Sequence, residues 1–156
     1  MPRLTREQQI ERLRGVWLFS QCSKRELDTL ARITTPVGVP AGHVLAREGE
    51  TGGEFAVIVD GCASVTLAGK VIGQLAPGTF FGEMALLDGG ARIATVTADE
   101  PMTLLVIGRR DFDAVIGGAM PSVARKMLTV LGQRLREADV RLGDRGVTKR
   151  SMPVGV

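Results

Sequence analysis

Residues 55–75, FAVIVDGCASVTLAGKVIGQL, hold three short apolar segments separated by turn chemistry. Segments 55–59 and 62–67 flank Asp60-Gly61, a pair that favours a two-residue reversal, so a hairpin is expected between them. Ala68-Gly69-Lys70 turns the chain again, into 71–75. Val65 and Leu67 alternate with Ser64 and Thr66, as a strand with one buried face requires. The same texture extends outward from Thr34 to Ile107. Pro40, Gly42, Gly49, Gly52-Gly53 and Pro77-Gly78 break it, and 94–98 and 102–107 complete it. Many short strands without helices between most of them predict a mainly β fold with flanking helices: an antiparallel jelly-roll barrel with an N-terminal helical bundle and C-terminal helices.

The flanks have helical spacing. Thr5 with Gln8, and Ser23 with Glu26, stand at capping-box distance and predict helices near 6–14 and 24–33. Leu27, Leu30 and Ala31 form an apolar stripe on the second. Trp17, Leu18 and Phe19 between them are expected to anchor both helices to the core. Beyond Gly108, 110–116 predicts a short helix ended by Gly117-Gly118. Pro121 then opens a longer one. In it Ala124, Leu128, Leu131, Leu135, Ala138 and Leu142 form a coiled-coil seam, and Val123, Met127 and Val130 widen the apolar face of its first half. Gly132 sits in this helix at a cost of about 1 kcal/mol relative to alanine. The reading divides the chain into an N-terminal helical segment (1–33), a β-roll (34–108), C-terminal hinge or lid helices (109–142) and a disordered tail (143–156), one domain in all.

The 156 residues suit a single domain with a core, and no run approaches the ~18 apolar residues of a membrane span. The polar N-terminus has no apolar signal core, so the expected location is cytoplasmic. Cys22 and Cys62, assigned to a helix and a strand, have neither the number nor the spacing of a disulfide framework or metal site. His43 is the sole histidine; one histidine cannot assemble a cupin-like metal centre, and no Ser/His or Cys/His set supports nucleophilic catalysis. No enzyme and no cofactor is expected. Charge is uneven: residues 1–33 hold seven Lys/Arg against four Asp/Glu, 34–108 three against eight, and 109–156 ten against five. An acidic centre thus lies between basic ends, which read either as solvated helix faces or as interaction surfaces.

The chemistry concentrates in FGEMALLDGGARIATV, residues 81–96. Gly82 leads into a helical turn at Glu83-Met84-Ala85, whose first N–H groups attract anions. Arg92 follows on the return loop, and a guanidinium matches a phosphate in fork geometry. Glu83 would repel a phosphate but suits a sugar hydroxyl on the same ligand. This stretch resembles the phosphate-binding cassette of cyclic nucleotide-binding domains, roughly F-G-E-[LM]-A-L, a short loop, then R-x-A-[TS]-V. Phe81-Gly82-Glu83-Met84-Ala85-Leu86 and Arg92-Ile93-Ala94-Thr95-Val96 match it at the family spacing. The likeness runs from Leu13 to about Leu142, through Leu18-Phe19-Ser20, Gly49-Glu50 and Ile72-Gly73-Gln74-Leu75. The loop departs from the pattern, with Gly89-Gly90-Ala91 where many relatives have Gly-Thr-Pro.

The resemblance implies roles by position. Glu83 would accept from the ribose 2′-hydroxyl and Arg92 would hold the cyclic phosphate. Gly82, Met84, Ala85 and Ala94 or Thr95 would offer backbone contacts. Val65, Ile72 and Leu75 would line the sugar and base. Ile93 stands where relatives that hold guanine carry Thr or Ser, which favours cAMP over cGMP. Met127, Val130, Leu131 and Arg134 are lid candidates, with Gly117-Gly118 as the hinge. The expected function is a cAMP-preferring regulatory module whose C-terminal helices move on binding and signal to an effector protein. A homodimer through the long helix is a further expectation. Only 14 residues follow Leu142, too few for a helix-turn-helix, so direct DNA binding is not expected. A module that kept the fold and lost binding, and a fragment of a larger transcription regulator, channel or enzyme, stay open as alternatives.

Overall fold

The computed structural model describes residues 3–143, with only the backbone course given for 137–143 and for Asp88. The tail expectation therefore lies, after Gly143, outside the described residues. Helices α1 (Arg6–Arg14) and α2 (Lys24–Ile33) both begin with complete capping boxes, Thr5 with Gln8 and Ser23 with Glu26. A single 3₁₀ turn, Trp17–Phe19, joins them. Leu18 and Phe19 are buried, but Trp17 is 50% exposed and does not anchor the helices in the core. Its ring instead carries the ammonium of Lys126 at 4.8 Å. That Nζ donates to the Trp17 carbonyl oxygen at 2.7 Å and to Ser20 Oγ.

Eight strands follow in two four-stranded sheets, all pairings antiparallel. They are β1 (Thr35–Val39), β2 (Val44–Ala46), β3 (Glu54–Asp60), β4 (Ala63–Leu67), β5 (Lys70–Leu75), β6 (Phe80–Phe81), β7 (Thr95–Ala98) and β8 (Met102–Gly108). One sheet has the order β1-β8-β3-β6, the other β2-β7-β4-β5. This is the jelly roll expected from the turn spacing. Pro36 falls on an edge strand, where a missing N–H costs no ladder bond.

The Asp60-Gly61 expectation is overturned. β3 and β4 lie in different sheets, and both edges of β3 are taken by β8 and β6. Gly61 (φ 87°) carries the chain across between the sheets, with its α-carbon against Pro101 and Met102, so a side chain there would collide. The two-residue hairpin is at Ala68-Gly69. Both have positive φ (51° and 84°), the type I′ geometry, and Leu67 faces Lys70 across it. Cys22 and Cys62 also fall just outside regular elements, as free thiols.

Two cores result. One lies between the β1-β8-β3-β6 sheet and the helices, and includes Leu13, Phe19, Leu30, Phe55, Leu105 and Met127. The other fills the interior of the roll, with Ile58, Val65, Leu75, Phe81, Val96 and Leu104. After β8 the chain forms α4 (Arg109–Ala114), a wide turn of π type (Val115–Ala119) and α5 (Pro121–Gly143). Gly118 (φ 133°) breaks the path, and the axes before and after it differ by 102°. α5 continues through Gly132 without interruption. Val123, Met127 and Val130 face the helical core, whereas Leu128 (68%) and Leu135 (66%) of the seam are exposed. Ala138 and Leu142 have side chains outside the described set. No single helix among the described residues is long and apolar enough to cross a membrane.

Candidate functional site

The sequence from Phe80 to Thr95 builds a strand, a glycine step, a short helix and a return loop. Gly82 takes φ 104° as the cap of α3 (Glu83–Asp88), and Gly89 (φ 70°) ends the helix. Gly82 is required for space as well as for φ. A Cβ there would press on the Glu54 carbonyl oxygen and lie 2.8 Å from Arg92 Nη1. Arg92 therefore threads past bare backbone, with Gly52 on another side, where a Cβ would overlap the guanidinium.

The loop before β3 carries Arg92 through its main chain too. Arg92 N donates to the Glu50 carbonyl oxygen (2.8 Å) and Gly49 N to the Arg92 carbonyl oxygen (2.9 Å). A bridge pairs Thr51 with Ala91. The guanidinium donates from Nη2 to the Glu54 carbonyl oxygen at 3.0 Å and is 8% exposed. Burial pulls its pKa down, opposed by the negative charges of Glu54 and Glu83. It remains a cation at any physiological pH.

Glu83 is completely buried. Burial pushes its carboxyl pKa up, against the opposing fields of Arg134 and Arg92. Arg134 Nη2, from α5, lies 2.8 Å from Glu83 Oε2. Both carboxylate oxygens lack an aligned donor among the described residues, and Arg134 Nε and Nη1 lack an aligned acceptor. A carboxylate at zero exposure whose known partner is one ion-pair contact keeps acceptor capacity for a further donor. The site thus presents an acceptor and a cation, both buried, on either side of a glycine passage.

The remaining candidates divide. Ala85 and Ala94 are buried, and Met84 and Thr95 half-buried, within the same stretch. Thr95 Oγ1 accepts from Glu48 N at 2.9 Å. Val65 and Leu75 are buried in the roll interior, with Ile72 packed at its margin. Ile93 is 52% exposed, on the outside of the return loop. Of the lid candidates, Arg134 alone is shown paired to the cassette, and Leu131 is half-buried. Met127 and Val130 are instead buried in the helical core, in the same cluster as Phe112 and Leu86. A cavity of about 150 Å³ lies inside the roll beside Arg92, with Val39, His43, Glu54, Phe81 and Val106 in its walls. Among the described residues no group of three His, Cys, Asp or Glu could hold a metal ion.

Gly52 and Arg109 escape a reading of the sequence alone. Gly52 reads there as a chain breaker, yet its bare α-carbon supports Arg92. Arg109 donates to the carbonyl oxygens of Leu86 (3.3 Å) and Gly52 (3.2 Å). The one signal for it is a cation directly after the last strand.

The sequence profile of the cyclic nucleotide-binding domain family matches residues 36–118. A cyclic nucleotide-gated potassium channel of Rhizobium etli is 36% identical over 110 residues, 70% of this chain and 30% of the channel. The cyclic AMP receptor protein of Thermus thermophilus is 33% identical over 135 residues, 83% of this chain and 62% of that protein. This chain therefore spans less than two thirds of either relative. A cAMP-bound PfPKA-R structure superposes with a TM-score of 0.76 at 24% identity, over 92% of this chain and 48% of that one, a likeness of fold. With a matching profile and the jelly roll, this chain belongs to the cyclic nucleotide-binding domain family.

Proposed function

We propose that the protein binds a cyclic purine nucleotide, cAMP in preference to cGMP, and passes that event to a partner protein as a regulatory module rather than a catalyst. The observation that carries the reading is the buried pair of opposite groups around Gly82. Arg92 supplies one positive charge for one cyclic phosphate, and Glu83, ion-paired with Arg134 through Oε2, keeps acceptor capacity for a ribose hydroxyl. A charge-assisted hydrogen bond of this kind contributes about 1.5–3 kcal/mol. Ile93 offers guanine no hydrogen-bonding group, which supports the adenine preference.

The response follows from competition. Arg134 is ion-paired with Glu83. A ribose hydroxyl donating to Glu83 alters that ion pair and so the position of α5. Gly118 gives the helix a place to pivot. The exposed Leu128 and Leu135 offer a surface for the effector or for a second copy of the chain. A location in the cytoplasm agrees with such a role.

A second reading has its own support. Because Arg134 already neutralises Glu83, the cassette is electrostatically closed without nucleotide, as in an interaction module that kept the fold and lost binding. Calorimetric titration with cAMP and cGMP separates the two. Heat with cAMP, weaker heat with cGMP, and a loss of more than ~100-fold in affinity in Arg92→Glu are expected, since the variant sets like charge against the phosphate. No heat with either nucleotide sinks the first reading.

A further inference from the structure

We propose that the outer face of α5 docks an acidic amphipathic helix of an effector protein, seated across Gly132. The proposal rests on the regulatory reading above only in needing a partner protein. The face is a groove of about 430 Å³ bordered by Arg125, Leu128, Thr129, Gly132, Gln133 and Arg136. At 3.6 residues per turn, Leu128 and Leu135 lie on one side of Gly132, and Arg125 and Arg136 on the other. Both leucines are about two thirds exposed, at 68% and 66%. The face therefore carries an apolar row and a cationic row, with a glycine between them.

Charge selects the occupant. From Pro121 to Arg136 the sequence holds four cations and no acid. Two of the four turn inward: Lys126 to the Trp17 carbonyl oxygen, and Arg134 to Glu83. Arg125 and Arg136 are exposed, with no ion-pair partner among the described residues. A second copy laid on this groove would bring the same cations, since acids enter the helix only at Glu137 and Asp139, past the groove. Carboxylates on a different protein complement it instead, and like charges penalise the copy.

Gly132 gives the occupant its shape. A Cβ at this position would meet nothing within 4 Å, so no neighbour inside the chain requires glycine there. Glycine is also the poorest helix-interior residue after proline. Its bare α-carbon leaves a notch in which another backbone can come close. A flat anionic membrane would not enter such a notch, whereas a helix laid in the groove does. Leu128 and Leu135 are seven residues apart, roughly 10 Å along the axis, and Arg125 and Arg136 eleven, roughly 16 Å. The matching helix has apolar residues seven apart on one edge and carboxylates eleven apart on the other.

The test uses the full chain and a labelled alanine-based helical peptide of about five turns with leucines and glutamates at those spacings. Fluorescence anisotropy is read with and without saturating cAMP. The glutamate peptide is expected to bind at least ~10-fold tighter than the same peptide with glutamines. The double variant Arg125→Glu, Arg136→Glu is expected to lose that preference and to favour a peptide with lysines instead. Gly132→Leu fills the notch with a better helix former, so its melting temperature is not expected to fall, while peptide binding weakens by at least ~10-fold. Equal binding of the glutamate and glutamine peptides overturns the proposal, and so does wild-type binding by Gly132→Leu or no binding of the glutamate peptide. Sedimentation of the wild type as a dimer that Gly132→Leu dissociates assigns the face to a second copy and overturns it too. Association with phosphatidylglycerol vesicles but not with the peptide assigns the face to a membrane, with the same result. A chain that binds the peptide but not cAMP refutes the nucleotide reading alone; one that binds cAMP but not the peptide refutes the docking alone.

Discussion

Strand β3 is buried on both faces, and the two faces solve different problems. Phe55, Val57 and Val59 point to the helices; Ala56 and Ile58 point into the roll. On the helical side one of the nineteen buried residues is alanine, Ala31. Inside the roll five of twelve are: Ala46, Ala56, Ala63, Ala94 and Ala98. Large side chains close the first core. The second has more small ones, and Ala56 is in the wall of the cavity of about 150 Å³ beside Arg92. One layer is built for stability, the other keeps space next to a buried charge.

The sharpest way to break this comparison is a pair of neighbouring substitutions. Phe55 stacks on Phe80 (5.4 Å) and Phe112 (5.2 Å), so Phe55→Ala is expected to cost about 3–5 kcal/mol by denaturant titration. Ala56→Val adds volume where there is room, and is expected to cost less than about 1 kcal/mol. Equal costs at the two positions would erase the distinction between the layers.

The next effect lies between the layers, at the ion pair. Arg134→Met leaves Glu83 buried without its nearest counter-charge. Removing one partner of a buried pair costs about 3 kcal/mol or more, unless the other is neutralised. The expected loss is therefore about 3 kcal/mol at neutral pH and less under acid conditions, where Glu83 takes up a proton. Thermal melts at the two pH values check it.

The smallest effect is the pH dependence of the wild type. The pKa of Glu83 in the folded protein is raised above its ordinary 4.5. The folded state thus holds this proton more tightly than the unfolded chain. The contribution is fully present below 4.5 and is lost as pH rises through the raised value. Glu83→Gln is expected to flatten that part of the stability profile. An unchanged slope would show that Arg134 and Arg92 already cancel the effect of burial.

Much of the architecture is legible in the residues because its signals are local. Both capping boxes lie three residues apart in sequence and form as read. Pro121 opens α5, and Gly117-Gly118 marks its bend. Asp60-Gly61 misleads because turn chemistry fixes where the chain reverses, whereas edge pairing is decided by β6 and β8, more than twenty residues away in sequence. In sequence Ala68-Gly69 marks a turn but not its type, since alanine at positive φ is unusual. Trp17 looks like an anchor by size, yet Lys126 on the distant α5 covers it from outside. In the site, Glu83 and Arg92 stand out by residue type and spacing. Arg134, Gly52 and Arg109 act through approaches between distant segments, and a one-dimensional pattern does not record how near two backbones come. Arg134 stands out in sequence as a candidate on the long C-terminal helix; its ionic partner Glu83 does not follow from the pattern.

The bend at Gly118 has a mechanical corollary. α5 runs for 23 residues, a rod of roughly 34 Å at 1.5 Å per residue. Turning such a rod by about 10° at its root sweeps the tip through roughly 6 Å, about the pitch of one helical turn. Any sub-ångström adjustment at that root would be geared up at the tip to a displacement comparable with a helical turn.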